Sequence, residues 1–380
     1  MANEQFFIVG TGFFGAVMAE RITSQLGASV TIFEKRPHFG GNSYSYLDRD
    51  TGIECHKYGS HIFHTSIPKV WKYINQFTDF TSYRHHVLTK HAGQVFAMPI
   101  NLFTINQLYQ KNFTPSEAQE FLAAEIARDK LSAPKNLEEK AISLIGRPLY
   151  EAFIKNYTKK QWGCDPKELP AEIITRLPVR TSYNTNYFAD TWQGVPKDGY
   201  FALFQKLLDN PKITIKYNCT YESVKNELPK SAKIIYTGMP DALFDYKFGP
   251  LNWRSLKFEW ETLDMQDYQG TASMNYADLD VAYTRIHEFK HYNPERLAAF
   301  NCPKTIICRE YPETYQLGTE PYYPINNEEN NKLYSLYAEE AQKDPRLILG
   351  GRLGQYKYFD MDKTINNALE TFDKMLKNNL

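Results

Sequence analysis

An apolar run, Gln5-Phe-Phe-Ile-Val, breaks at Gly10-x-Gly12-x-x-Gly15, and an amphipathic segment follows to Leu26-Gly27. A second apolar run, Ser29–Phe33, then ends at Glu34. The order is strand, glycine turn, helix, strand, acid. Gly10 permits a tight turn, Gly12 lets a pyrophosphate approach the backbone, and Gly15 lets helix and strand pack closely. The helix N-terminus offers free N–H groups and the positive end of its dipole to phosphate. Glu34 follows Gly15 by 19 positions, the spacing of an acid that bonds a ribose hydroxyl. A dinucleotide site is expected.

The 380 residues suffice for two or three domains with a large core. Lys plus Arg and Asp plus Glu balance at 44 each, so no general field draws the chain to nucleic acid or an anionic membrane. The five cysteines are scattered without a C-x-x-C pair, which suits a reducing compartment and argues against a disulfide framework or zinc. The apolar start stops at Gly10, too short for a signal sequence, and no window approaches 18 apolar residues. The expected location is the cytoplasm.

Beyond Glu34, the pair Gly40-Gly41 before Asn42 suggests a second close approach to the cofactor, an extension that a plain NAD site does not need. His56, His61 and His64 follow, but no carboxylate or Cys is placed to complete a metal site, so Gly59-Ser60-His61 reads as a backbone turn against a planar ligand. Thr114-Pro-Ser-Glu117 and Asn136-Leu-Glu-Glu139 open two helices, and a third begins near Pro148. An irregular stretch with three prolines, two arginines and Trp162 at its start reads as a lid. Antiparallel strands follow, then two strand-to-glycine junctions at Thr237-Gly238 and Gly350-Gly351. The predicted fold is α/β. A discontinuous Rossmann-like FAD-binding domain takes residues 1–95, 195–245 and 335–380. A small helical domain takes 100–165, a lid 166–180, and an antiparallel β-sheet domain 181–194 and 250–330.

Gly40-Gly41-Asn42, His56-x-Tyr58-Gly59-x-His61-Ile-Phe63-His64-Thr65, Tyr157-Thr-x-Lys-Gln161-Trp162, Arg176-x-Pro178-Val-Arg180, Tyr283-Thr284-Arg285-Ile286, Pro321-Tyr322-Tyr323-Pro324 and Gly351-Arg352-Leu353-x-x-Tyr356-x-Tyr358 occur in this order after the first fingerprint. Together they resemble the prokaryotic UDP-galactopyranose mutases, from about residue 5 to the C-terminal helix. The resemblance implies FAD, active when reduced, and interconversion of UDP-galactopyranose and UDP-galactofuranose for cell-surface polysaccharide. Flavin N5 attacks the anomeric carbon, UDP leaves and returns, and no net redox change occurs. It also implies a homodimer and an external reductant such as NAD(P)H.

Site roles follow from the same resemblance. Arg176 and Arg285 would stabilise the diphosphate, for which a guanidinium fork is suited, and His61 would lie beside flavin and sugar. Substrate contacts fall to Phe153, Tyr157, Trp162, Tyr187, Asn275, Tyr323, Tyr358 and Asp360. Cofactor contacts fall to Gly10, Gly12, Phe14, Gly15, Glu34, Lys35, Gly41, Asn42, His61, Ile62, Gly238, Arg352, Tyr358 and Met361. Each has a plainer alternative: a cross-strand ion pair for Arg285, core packing for Phe153, Tyr157 and Trp162, a helix cap for Asp360. A redox flavoenzyme or a GDP-dissociation inhibitor shares the general fold but does not need the Arg/Tyr set.

Overall fold

The computed structural model describes residues 5–174 and 178–377. In chain order the first strands are β1 (Phe6–Val9), β2 (Val30–Glu34), β3 (Ser45–Leu47), β4 (Glu54–His56) and β5 (Phe63–Thr65). Next come β6 (Val87–His91), β7 (Gln94–Met98), β8 (Trp192–Gly194), β9 (Ile213–Tyr217) and β10 (Lys233–Tyr236). The last are β11 (Trp253–Leu263), β12 (Ser273–Tyr276), β13 (Arg285–Glu288), β14 (Thr305–Thr314), β15 (Tyr323–Pro324) and β16 (Leu347–Leu349).

Five strands form a parallel sheet in the order β16-β10-β1-β2-β9. Apolar runs such as Phe-Phe-Ile-Val and Lys-Ile-Ile-Tyr suit strands covered on both faces. The helices Phe13–Arg21 and Met361–Lys377 pack together and bury Val17, Met18, Ile365, Ala368 and Phe372. Each large side chain among these contributes about 1.5–3 kcal/mol on burial. Val9 is level with Tyr236 and Phe33, so Gly10, Glu34, Thr237 and Gly350 all emerge at the carboxyl edge, where ligands of open parallel sheets bind. The sheet draws on the N-terminal, middle and C-terminal parts of the chain, as expected.

The second sheet has seven strands in the order β15-β11-β14-β13-β12-β6-β7. Three expectations are corrected here. β6 and β7, drawn into the first segment of the nucleotide domain, extend this sheet, because β6 pairs with β12 and β7 and buries Val87 and Thr89 there beside Phe96. β12 takes β6 as a parallel neighbour, so the sheet is mixed rather than wholly antiparallel. Of residues 181–194, the β8 segment pairs with β5 instead, where Trp192 stacks on Trp71.

The helical body carries the caps its sequence predicts. Thr114 and Glu117 exchange capping-box bonds at the head of Pro115–Arg128, and Asn136 accepts from Glu139 N at the head of Leu137–Ile145. Gly146 at φ 78° then starts a helical stretch through Arg147–Leu149, Tyr150–Lys155 and Asn156–Trp162, the middle part wound more widely. After Trp162 the expected lid does not begin as a free loop. Short turns at Pro166–Glu168 and Ala171–Ile174 pack on Leu137–Ile145, Leu169 is buried, and its carbonyl accepts from Leu137 N. Arg176 lies outside the described residues. The entry and exit of the helical body run side by side: Arg180 N donates to Ile100 O, and Leu102 N to Ser182 O.

Candidate active site

The three glycines of the turn differ in what surrounds them. A Cβ on Gly15 would stand 2.1 Å from Gly10 O, so this glycine serves helix–strand contact. Gly12 is different. A Cβ there would meet no atom within 4 Å, and its φ of −64° is open to any residue. Protein packing therefore does not demand Gly12; the space above it suits a pyrophosphate before the helix N-terminus. Gly41 closes the other side, its added Cβ falling 2.9 Å from Gly12 Cα. Glu34 is held ready at the end of β2. One oxygen accepts from Thr11 N at 2.9 Å and from Thr11 Oγ1, the other from Arg36 N at 2.9 Å. These residues fit the group, and Thr11 is a member that the fingerprint did not name.

The outer cofactor candidates divide. Asn42 Oδ1 accepts from Arg36, whose guanidinium covers the Tyr58 ring. Lys35 pairs instead with Glu320 at 2.9 Å. The Phe14 ring is buried beneath Gly350 and Gly351, leaving only its backbone for a ligand. Gly238 lies against the Tyr236 ring, Met361 packs on the core of the parallel sheet, and Ile62 is buried beside the His61 turn.

That turn settles a tautomer. His61 Nδ1 lies 2.7 Å from Gly59 O, and a carbonyl only accepts, so Nδ1 carries the hydrogen and Nε2 is left as an acceptor. Burial pushes the ring down to about 4, reinforced by Arg352 and His287, and holds it neutral. Gly59 has φ 92°, and a Cβ on it would meet the Phe258 ring at 3.2 Å. His56 Nδ1 accepts from His61 N and His64 pairs with Asp190, so the three histidines are engaged separately.

Strand register builds the opposite wall. Phe258, Glu310, Arg285, Asn275 and Thr89 are level across β11, β14, β13, β12 and β6, hence on one face. Arg285 Nη2 donates to Tyr157 Oη at 2.7 Å, while Nε stands 3.4 Å from Glu310. The cross-strand ion pair given as the plainer alternative is thus present. Accepting from Arg285 leaves the Tyr157 hydroxyl hydrogen free to donate onward. Burial pushes Glu310 up, but Arg285 and the bond from His287 outweigh it and hold the carboxyl below its usual range. His287 Nε2 lies 3.2 Å from Glu310 and Nδ1 2.8 Å from Tyr292 Oη, so Glu310, His287 and Tyr292 form a buried chain behind Arg285. None of the three was foreseen, although His287 stands two positions past Arg285, on the same strand face.

Arg352 closes the third side. It donates to Phe359 O and Tyr322 O and lies 5.8 and 5.5 Å from the Tyr323 and Tyr358 ring centres, which stack at 5.5 Å. Tyr358 is exposed at the rim of this side, stacked on Tyr323 beneath the Arg352 guanidinium. Tyr187 is exposed, edge-on to His85 and Phe188, and its N donates to His85 O. Trp162 is half-buried at the end of its helix. Phe153 is 4 % exposed, edge-on to Phe96 within the helical core, as its packing alternative had it. Asp360 accepts from Thr364 through its backbone carbonyl at the head of the last helix.

Comparison with known proteins decides between flavoenzyme and binding protein. The UDP-galactopyranose mutase profile matches residues 152–358, more than half of the chain. The chain belongs to this family. An NAD(P)-binding Rossmann-like domain profile matches residues 8–77. A probable UDP-galactopyranose mutase of Klebsiella pneumoniae is 42 % identical, covering 99 % of this chain and 96 % of its own. A dTDP-fucopyranose mutase of Escherichia coli is 37 % identical over 98 % of both. The crystal structure of a reduced UDP-galactopyranose mutase superposes with a TM-score of 0.74 at 15 % identity, covering 99 % of this chain and 96 % of that one, a likeness of fold. The protein is therefore an enzyme, an isomerase with a flavin for its Rossmann-like domain, and no helix among the described residues is long and apolar enough to cross a membrane.

Proposed function

We propose that the protein interconverts UDP-galactopyranose and UDP-galactofuranose with reduced FAD, without net redox change. The observation that carries this reading is the pair of cations set against phenols, Arg285 on Tyr157 and Arg352 over Tyr323 and Tyr358, together with the His61 turn against the sheet at Phe258. A hydride-transfer site has no use for two guanidinium groups and several phenols; a departing diphosphate has.

Gly12, Gly41, Thr11 and Glu34 would hold pyrophosphate and ribose of the cofactor, which supplies a nucleophilic nitrogen for the anomeric carbon. Arg285, braced by Glu310, keeps its charge beside the leaving phosphates, and Tyr157 passes a hydrogen bond onward. Charge placed before the reaction needs no reorganisation when the sugar–phosphate bond breaks. Arg176, Tyr187, Tyr323 and Tyr358 complete the phosphate set in this reading, Arg352 serves the cofactor, Asn275 and Trp162 serve uridine, and the buried Phe153 backs the helix that carries Tyr157 and Trp162. His61 contributes an acceptor nitrogen and no proton. A homodimer, an external reductant, a cytoplasmic location, galactofuranose supply to surface polysaccharide and the three-part domain division belong to the same proposal.

The test is incubation with UDP-galactofuranose and dithionite, followed by chromatography for UDP-galactopyranose. Because one relative bears the name dTDP-fucopyranose mutase, dTDP-fucopyranose is offered in parallel. Absence of product from the UDP-sugar, or a kcat/KM favouring the dTDP-sugar, refutes the substrate assignment.

A further inference from the structure

The helix Asn156–Trp162 carries Tyr157 near one end and Trp162 at the other, and it lies across the face of the seven-stranded sheet. Two adjacent lysines near its end behave oppositely. Lys159 is exposed, whereas Lys160 turns inward. Its Nζ donates to the carbonyls of Tyr276 at 2.7 Å, Tyr283 at 3.1 Å and Val281 at 3.3 Å. An ammonium has three N–H groups, so all are spent on main chain. Those carbonyls lie at the last residue of β12, next to Asn275, and in the connection that enters β13 at Arg285.

A second cation holds the same helix from below. Arg254 on β11 is 8 % exposed and four residues from Phe258, hence on the same face. Its Nη2 donates to Gln161 O at 2.6 Å and Nη1 to Thr314 Oγ1 at 3.2 Å, while Nε is buried without a partner. Among the described residues no carboxylate lies within ion-pair distance of Lys160 or Arg254. Burying a cation without a counter-ion is costly. Here the groups in contact are neutral, main-chain carbonyls that include the C-terminal end of the helix itself and the Thr314 hydroxyl, while Asp278 and Asp280 act on Lys160 from beyond ion-pair distance. An apolar side chain would fill either place at less cost, so packing does not explain the charges.

We propose that Lys160 and Arg254 are positioning residues for nucleotide recognition. They fix the Tyr157–Trp162 helix relative to Asn275 and Arg285, so that the aromatic and polar halves of the uridine diphosphate site, which come from separate parts of the fold, meet at one spacing. Neither residue needs to touch the nucleotide. The inference rests on reading this space as a nucleoside diphosphate site.

The experiment uses the holoenzyme and compares Lys160→Met and Arg254→Met with the donor-keeping Lys160→Gln and Arg254→Lys. Kd for UDP is read by titration calorimetry, and kcat and KM for UDP-galactofuranose by chromatography; flavin absorbance and thermal midpoint report folding. Both Met variants should raise Kd and KM about tenfold or more and change kcat less than about threefold, the pattern of lost uniform binding. The donor-keeping variants should fall between them and wild type. A merely structural role would lower the midpoint without moving Kd of the folded fraction. Kd within twofold of wild type in Lys160→Met overturns the proposal. If a Met variant does not fold, wild-type Kd in its donor-keeping counterpart overturns it equally. Failure of the wild type itself to bind UDP instead refutes the underlying site reading.

Discussion

Replacing Arg285 by Met removes the guanidinium from between Tyr157 and Glu310, and the structure separates two costs. The first is stability. Glu310 is 7 % exposed and would keep only His287 as a partner. Breaking a buried ion pair on one side costs about 3–5 kcal/mol, because the remaining charge is stranded. The loss has a sign in pH. With Arg285 gone, the Glu310 carboxyl loses the largest influence holding it below its usual range, and with it the stabilisation that is present above the unfolded value and lost as pH falls. The Arg285→Met deficit should therefore be smaller at pH 5 than at pH 8. The second cost is catalytic. A guanidinium making two charge-assisted bonds to phosphate, each contributing about 1.5–3 kcal/mol, accounts for about 10²–10⁴ in kcat/KM. Arg285→Met with Glu310→Gln removes both charges and should regain most of the stability and none of the turnover. Thermal unfolding at the two pH values and chromatographic turnover read the two effects separately. Near-wild-type turnover in the single variant, or recovery of activity in the double variant, refutes this account of Arg285.

Arg176→Ala should lose nearly all turnover and remain yellow; retention of most activity sinks its proposed role. Trp162 fluorescence should change on adding UDP, and an unchanged signal at saturation counts against closure of the segment after it. Gly12→Ala should fold with an unchanged thermal midpoint in the apo state yet lose at least tenfold in flavin affinity, whereas Gly15→Ala should be destabilised outright by the contact with Gly10 O. Equal stability losses in the two would void the open-space argument. His61 and His85 are pushed down to about 4 and about 3, each first by burial. Below pH 6.5 the unfolded chain takes up protons that the folded one refuses, so stability falls with pH by up to about 1.4 kcal/mol per unit for each histidine. A flat urea midpoint between pH 6.5 and 4.5 contradicts this.

The parallel sheet was legible because its residues obey local rules: apolar runs, a glycine turn, an acid at fixed spacing. The capped helices were legible for the same reason, since Thr114-Pro-Ser-Glu117 closes its bonds within four residues. What escaped was long-range. Nothing local in Val87–Met98 says that these strands join β12 rather than β1. The buried chain behind Arg285 joins Glu310, His287 and Tyr292, whose sequence spacing carries no motif. Thr11, beside a named glycine, was missed because only the fold brings its hydroxyl to Glu34. Lys160 was quoted within a motif yet given no role, because its three acceptors are main-chain carbonyls more than a hundred positions away.

The side-by-side entry and exit of the helical body make it a unit on a two-stranded neck, laced by Arg180 with Ile100 and Leu102 with Ser182. Beyond the neck, bonds from Lys160, Arg254 and Arg285 seat the Tyr157–Trp162 helix on the sheet, whose strands all lie outside the neck. The helical body is thus a module that could be exchanged at Ile100 and Ser182 without rethreading the strands that carry Arg285.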